Sequence, residues 1–98
     1  MLKFEYLYEY IGKLAYKLFP NAGAIEHLLK LKQEANEAIN DPKDIEEYAD
    51  CAFAIISAVN KAGFTYEQFI EAIYKKSVIN ESREWQQMPD GTHQHIKK

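Results

Sequence analysis

An all-α domain of four helices is what this sequence predicts, on three observations. Apolar residues recur every three or four positions almost throughout, helix-ending signals cut the chain into four stretches, and no strand-like alternation of useful length appears. The first stripe is Phe4, Leu7, Ile11, Leu14 and Leu18, ending near Phe19-Pro20. After the small and polar Asn21-Ala22-Gly23, a second stripe runs through Ile25, Leu28, Leu31, Ala35 and Ala38 to Asn40-Asp41-Pro42. There Asp41 is read as the N-cap of a third helix, Pro42 as its first position, and Asp44 as negative charge at the positive end of its dipole. The third stripe is Ile45, Tyr48, Ala49, Ala52, Ile56 and Val59, and Ala62-Gly63 stops it, glycine being suited to the left-handed residue after a helix. Thr65 with Gln68 reads as a capping box opening a fourth helix through Phe69, Ile73 and Lys76 to about Trp85.

The expected organisation is a single domain over residues 1–98: an N-terminal helix over 1–19, a helical hairpin over 24–62, a helix over 66–85 and a loop-like tail over 86–98. A domain this small buries proportionally little surface, so subunit association would help it. With 47% hydrophobic and 28% charged residues the chain has the composition of a folded globular protein rather than a disordered one. A net charge of −3 argues against a nucleic-acid partner. No apolar run approaches the roughly 18 residues of a membrane span. Charges at Lys3, Glu5, Glu9, Lys13 and Lys17 interrupt any apolar core of a signal peptide, and Cys51 has no second cysteine to pair with. The cytoplasm is the expected location.

Two carboxylate pairs stand at helical spacing, Glu34 with Glu37 and Glu47 with Asp50. Residues three apart share a helix face. If the two helices form an antiparallel hairpin turning near Asn40-Asp41, residues whose numbers sum to about 81 face each other, which sets Glu34 opposite Glu47 at the helical pitch. Four carboxylates so gathered repel one another unless something positive intervenes, and a divalent cation is the simplest remedy. All-oxygen ligation suits Mg²⁺ or Mn²⁺ better than Zn²⁺. Spacing alone fits equally the solvated face of two amphipathic helices, although Leu31, Ala35, Ala49, Cys51 and Ala54 put small and apolar neighbours beside the acids.

On the fourth helix Lys76, Asn80 and Arg83 recur at spacings of four and three, a polar stripe able to meet phosphate oxygens, or simply an exposed helix end with cations favoured by the dipole. Trp85 is suited to stacking on a base and equally to packing. His27, on roughly the side of the second helix that carries Glu34, either touches a substrate or caps the apolar seam. His93 and His95 lie in the tail without a ligand motif, and Cys51 reads as a buried structural thiol.

Taken together, Glu34-Ala-Asn-Glu37 and Glu47-Tyr-Ala-Asp50 resemble the two acidic halves of the signature of MazG-like nucleoside triphosphate pyrophosphohydrolases. Lys76-Ser-Val-Ile-Asn80-Glu-Ser-Arg83-Glu-Trp85 resembles the phosphate-binding segment of that family. Phe19-Pro20-Asn21-Ala22, His27-Leu28, Asp41-Pro42, Asp90-Gly91 and His95 are similar to the short, phage-type dATP/dGTP pyrophosphohydrolases. The resemblance spans about residues 19–95. Where the broader signature has a further Glu before the first pair, this chain has Gln33.

The resemblance implies a four-helix MazG-like bundle completed by oligomerisation as a homodimer or homotetramer, through the apolar load of the first helix. It implies Glu34, Glu37, Glu47 and Asp50 as ligands of Mg²⁺, with Mn²⁺ as substitute, and Lys76, Asn80, Arg83, Trp85 and His27 as substrate contacts. Glu34, Glu46 and Glu47 would be catalytic, Glu46 as general base or outer ligand. The implied reaction converts a (deoxy)nucleoside triphosphate, dGTP or dATP, to the monophosphate and pyrophosphate. The residues also fit a non-catalytic helical module that senses nucleotides or docks on a protein, and pyrophosphohydrolysis of a different nucleotide such as dUTP or a phosphoribosyl-ATP intermediate.

Overall fold

The computed structural model describes residues 2–97. Helix α1 spans Phe4–Leu18, α2 Ala24–Asn40, α3 Ile45–Lys61 and α4 Tyr66–Ser82, followed by two short strands, β1 (Trp85–Gln87) and β2 (His93–His95). No helix among the described residues is long and apolar enough to cross a membrane. Two compact units divide the chain, one up to Tyr66 and the other from Glu67 onward.

In the first unit α3 is the central element, packed against both α2 and α1. From α1 it receives one stripe, Tyr8, Ile11, Gly12 and Ala15, at the spacing that keeps residues on one helical face. Its own buried positions include Ala54, Ile56, Ser57 and Ala58. Tyr8, fully enclosed, donates its hydroxyl to the Phe64 carbonyl at 2.5 Å and meets the Tyr66 ring edge-on at 5.8 Å. The apolar core is small, and the fully buried residues of α2 are the polar His27 and Glu34, with Leu31, Ala35 and Ala38 half-buried.

Local chemistry fixes the joints. Gly23 precedes α2 and donates its backbone N–H to Glu26 Oε1 at 2.6 Å, the half of a capping box that a residue without a side chain can share. The third helix starts later than the sequence suggests. Asp41 closes α2 instead, its N–H donating to the carbonyls of Glu37 and Ala38, and Asp44 is the N-cap of α3, accepting from Glu46 N at 2.9 Å. Pro42 falls in the intervening turn, where its carbonyl accepts the Tyr48 hydroxyl at 2.8 Å. At the other end of α3, Gly63 takes φ +90°, Phe64 N–H reaches the Val59 carbonyl and Gly63 N–H the Asn60 carbonyl, a complete Schellman closure.

In the second unit α4 stops at Ser82, short of Trp85, and the tail read as loop carries an antiparallel strand pair. Trp85 faces His95 in the ladder, Gln86 faces Gln94 and Gln87 faces His93. The helix ends because Arg83 N–H turns back to the Asn80 carbonyl, to which Trp85 Nε1 also donates at 3.0 Å. Asp90 shapes the hairpin tip by accepting from both the backbone N–H and the hydroxyl of Thr92, and those bonds hold its carboxyl below the usual range. None of α4 is buried.

Candidate active site

The α2–α3 hairpin brings three carboxylates together. Glu34, Glu37 and Glu47 each offer an oxygen within 4.8 Å of the others. Their environments differ: Glu34 is buried at 6% exposure, Glu47 half-buried and Glu37 exposed. Glu34 Oε1 accepts the ammonium of Lys30 at 3.0 Å, one turn earlier on α2. The other oxygen of Glu34, and Oε2 of Glu47, are buried with no hydrogen-bond partner among the described residues.

Buried carboxylate oxygens without donors are costly. Loss of solvent raises the pKa of Glu47, and the nearby charges of Glu37, Asp44, Asp50 and Glu34 push in the same direction. Hard oxygen donors, two of them desolvated and unpaired, in a cluster of negative charge are the donor set that a divalent cation such as Mg²⁺ or Mn²⁺ satisfies. The residues present therefore fit such an ion.

Asp50 lies one turn beyond Glu47 on α3, exposed and outside the three-carboxylate group, with its charge felt at Glu47 and at Lys30. Glu46 is exposed in the first turn of α3, its backbone N–H engaged by Asp44. Cys51, expected to be buried, is only half-buried, a free thiol on a helix whose enclosed positions begin at Ala54.

A pocket of about 290 Å³ adjoins the cluster. Its apolar wall is made by Phe19, Ala22, Phe53 and Ala54, and Glu34, Asp50 and Lys30 stand at its polar side. His27 forms part of the wall at 7% exposure, edge-on to Phe19 with ring centroids 5.8 Å apart, and its Nε2 has no partner among the described residues. Burial lowers the His27 pKa, Lys61 lowers it further and Glu26 opposes them, a balance that disfavours the charged imidazole. Lys61 also anchors this corner, donating to the Phe19 carbonyl at 2.9 Å while lying 4.2 Å from the centre of the Tyr16 ring. Sequence reading overlooked Phe53, which no spacing ties to Phe19, and Lys30, whose position four residues before Glu34 was visible.

Lys76, Asn80, Arg83 and Trp85 belong to the second unit. Lys76 and Asn80 are exposed and Arg83 is half-buried, with Arg83 Nη1 3.4 Å from Asn80 Oδ1. Trp85 is tied to the Asn80 carbonyl and meets the His95 ring edge-on at 6.2 Å. Lys75, next to this stripe, is engaged with Glu71 at 3.0 Å.

The chain is similar to a solved structure, the MazG-like pyrophosphohydrolase of cyanophage S-2L bound to dGDP and three catalytic Mn²⁺ ions per active site. The two are 26% identical with a TM-score of 0.81, over 99% of this chain and 100% of that one. Four helices of this arrangement with an acidic hairpin define a MazG-like pyrophosphohydrolase fold. The family model for dATP/dGTP pyrophosphohydrolases matches residues 10–98, and the chain belongs to that family. It is also 37% identical over 87 residues to the dATP/dGTP diphosphohydrolase of Salmonella phage PMBT28, covering 88% of this chain. The chain spans 29% of the length of that relative.

Proposed function

We propose that the protein is a Mg²⁺-dependent pyrophosphohydrolase that converts dGTP or dATP to the monophosphate and pyrophosphate. The observation that carries this reading is the convergence of Glu34, Glu37 and Glu47 around a buried, unpaired carboxylate oxygen, which a chain with so small a core would not otherwise keep. The nucleotide and Mn²⁺ bound by the cyanophage protein support it, as does the family's substrate class.

Glu34, Glu37, Glu47 and Asp50 are the residues that would hold Mg²⁺, with Mn²⁺ as substitute. When bound, the ion lowers the pKa of an attacking water and offsets charge on the phosphates. Glu34, Glu46 and Glu47 are assigned the catalytic roles. Glu46, exposed beside Glu47, takes the water proton as the water oxygen bonds to phosphorus and the bond to the pyrophosphate leaving group breaks. Lys76 as a point charge, Asn80 as a neutral donor and Arg83 as a planar fork bind phosphate oxygens and stabilise the charge that moves onto the leaving group. Trp85 stacks on the base, and His27, edge-on to Phe19 in the pocket wall, touches the nucleoside. The same reading includes a homodimer or homotetramer, supported by the exposed Phe4, Tyr6, Tyr10 and Leu18 of α1, and a cytoplasmic location.

The test is incubation of the purified chain with each dNTP and Mg²⁺, with products resolved. Monophosphate and pyrophosphate from dGTP or dATP are expected. Absence of turnover with every triphosphate, or full activity in Glu34→Ala and Asp50→Ala, would overturn the reading.

A further inference from the structure

The ion pair between Lys30 and Glu34 joins an exposed cation to the most enclosed acid of the cluster. The Lys30 side chain is 58% exposed and that of Glu34 only 8%, with Nζ and Oε1 3.0 Å apart. The charges of Glu37 and Asp50 act on the same ammonium. Lys30 also forms part of the pocket beside the cluster. Helix stability draws little from the pair, because Lys placed four residues before Glu is the less favourable order on a helix. What the pair does is set a positive charge against the most enclosed carboxylate of the cluster.

We propose that Lys30 is an exchangeable counter-ion of the acid cluster: it holds Glu34 while no metal is bound, gives up Glu34 to a divalent cation, and then engages the phosphate chain of the nucleotide. The inference rests on the metal-dependent reading above. A second cation beside the same buried carboxylate is repelled at short range, and the lysine stem is long, flexible and already solvated, so release costs little. A triphosphate brings the anionic oxygens that replace Glu34 as partner. Lys30 thereby opposes metal binding to the empty site and favours nucleotide binding to the loaded one, two effects of opposite sign. An ion pair that served only to hold α2 would not separate them.

The experiment titrates Mn²⁺ into the nucleotide-free full chain, following free Mn²⁺ by electron paramagnetic resonance, for the wild type, Lys30→Met and Lys30→Arg. Steady-state kinetics with dGTP at saturating Mg²⁺ follow on the same proteins. Lys30→Met should bind Mn²⁺ several-fold more tightly while its KM for dGTP rises about 10-fold or more, the size of one lost charge-assisted contact. Lys30→Arg should stay near the wild type in both. Equal or weaker Mn²⁺ binding by Lys30→Met, or an unchanged KM, overturns the proposal for Lys30 alone. Wild-type protein that binds no Mn²⁺, or binds it no better than Glu34→Gln does, overturns the metal-dependent reading itself.

Discussion

Gly12 of α1 lies so close to Asn60 of α3 that a Cβ on Gly12 would stand 2.3 Å from Asn60 Oδ1 and 2.7 Å from Asn60 Cγ. The Asn60 side chain cannot yield freely, because its Nδ2 donates to the Ile56 carbonyl at 2.9 Å and reaches the Tyr8 carbonyl at 3.4 Å. In an exposed helix interior, Gly to Ala would stabilise by about 1 kcal/mol. Here overpacking reverses the sign. Gly12→Ala should destabilise by about 1–3 kcal/mol in thermal or urea unfolding. The double variant Gly12→Ala with Asn60→Ala should recover part of that loss, and a double-mutant cycle reads the coupling. A Gly12→Ala protein as stable as the wild type would show that the two helices do not approach this closely.

Neutralising Glu34 separates function from folding. Glu34→Gln keeps the shape of the side chain, removes one charge from three converging carboxylates and gives up an ion pair with the largely exposed Lys30. Such helical pairs contribute about 0.3–0.5 kcal/mol, and relief of like-charge repulsion opposes the loss. The melting temperature of the metal-free variant should therefore be no lower than that of the wild type. Pyrophosphate release should fall by about 100-fold or more, beyond what outer partners of a metal site are worth. Added Mn²⁺ should raise the melting temperature of the wild type and not that of the variant, as linkage requires of an ion that binds only the folded state.

Lys76→Ala and Arg83→Ala test the other half of the assignment. Neither residue is buried, so each substitution should change stability by no more than about 0.5 kcal/mol. A lost charge-assisted contact with a phosphate should lower kcat/KM for dGTP by about 10- to 100-fold in either variant. Equal kcat/KM in wild type and both variants would return the stripe to the role of a solvated helix end.

The helices were legible because each records its own burial in spacing and its own ends in capping chemistry. Gly63 announced the end of α3 through a conformation that favours glycine. The start of α3 was misread because Asp41 and Asp44 are equally good caps by type, and the choice depends on the turn between the helices, in which the Asp44 N–H goes to the Asp41 carbonyl and the Asp44 side chain takes the Glu46 N–H. The strand pair escaped because three-residue strands hold too little alternation to read, although the Pro89-Asp90-Gly91 turn between them was visible. Counting around the hairpin turn was enough to face Glu34 with Glu47, since packing two helices through a short turn fixes the register. The pocket was not countable: Phe19 and Phe53 meet it from separate elements. Nor does sequence reveal that Glu34, rather than Glu37, is the enclosed acid, because that depends on which face of α2 meets α3.

His27 supplies a pH dependence whose sign follows from its burial. Its folded-state pKa lies below the ordinary 6.5, first through loss of solvent and then through Lys61, with Glu26 opposing. The unfolded chain therefore takes up a proton near pH 6.5 that the folded chain resists. The contribution of a neutral, buried His27 is complete above pH 6.5 and is lost as pH falls from there toward the folded-state pKa. Glu47 acts in the opposite sense, since its raised pKa favours the protonated folded form as pH falls, so the wild-type profile alone mixes the two. His27→Gln removes one titration and leaves the other. Between pH 7.5 and 5.5 the metal-free wild type should lose more stability than His27→Gln, measured as melting temperatures across the same buffers. Parallel profiles would mean that the imidazole is protonated as easily in the folded protein as in the unfolded chain, and that the wall of the pocket is wetter than its neighbours Phe19 and Phe53 make it.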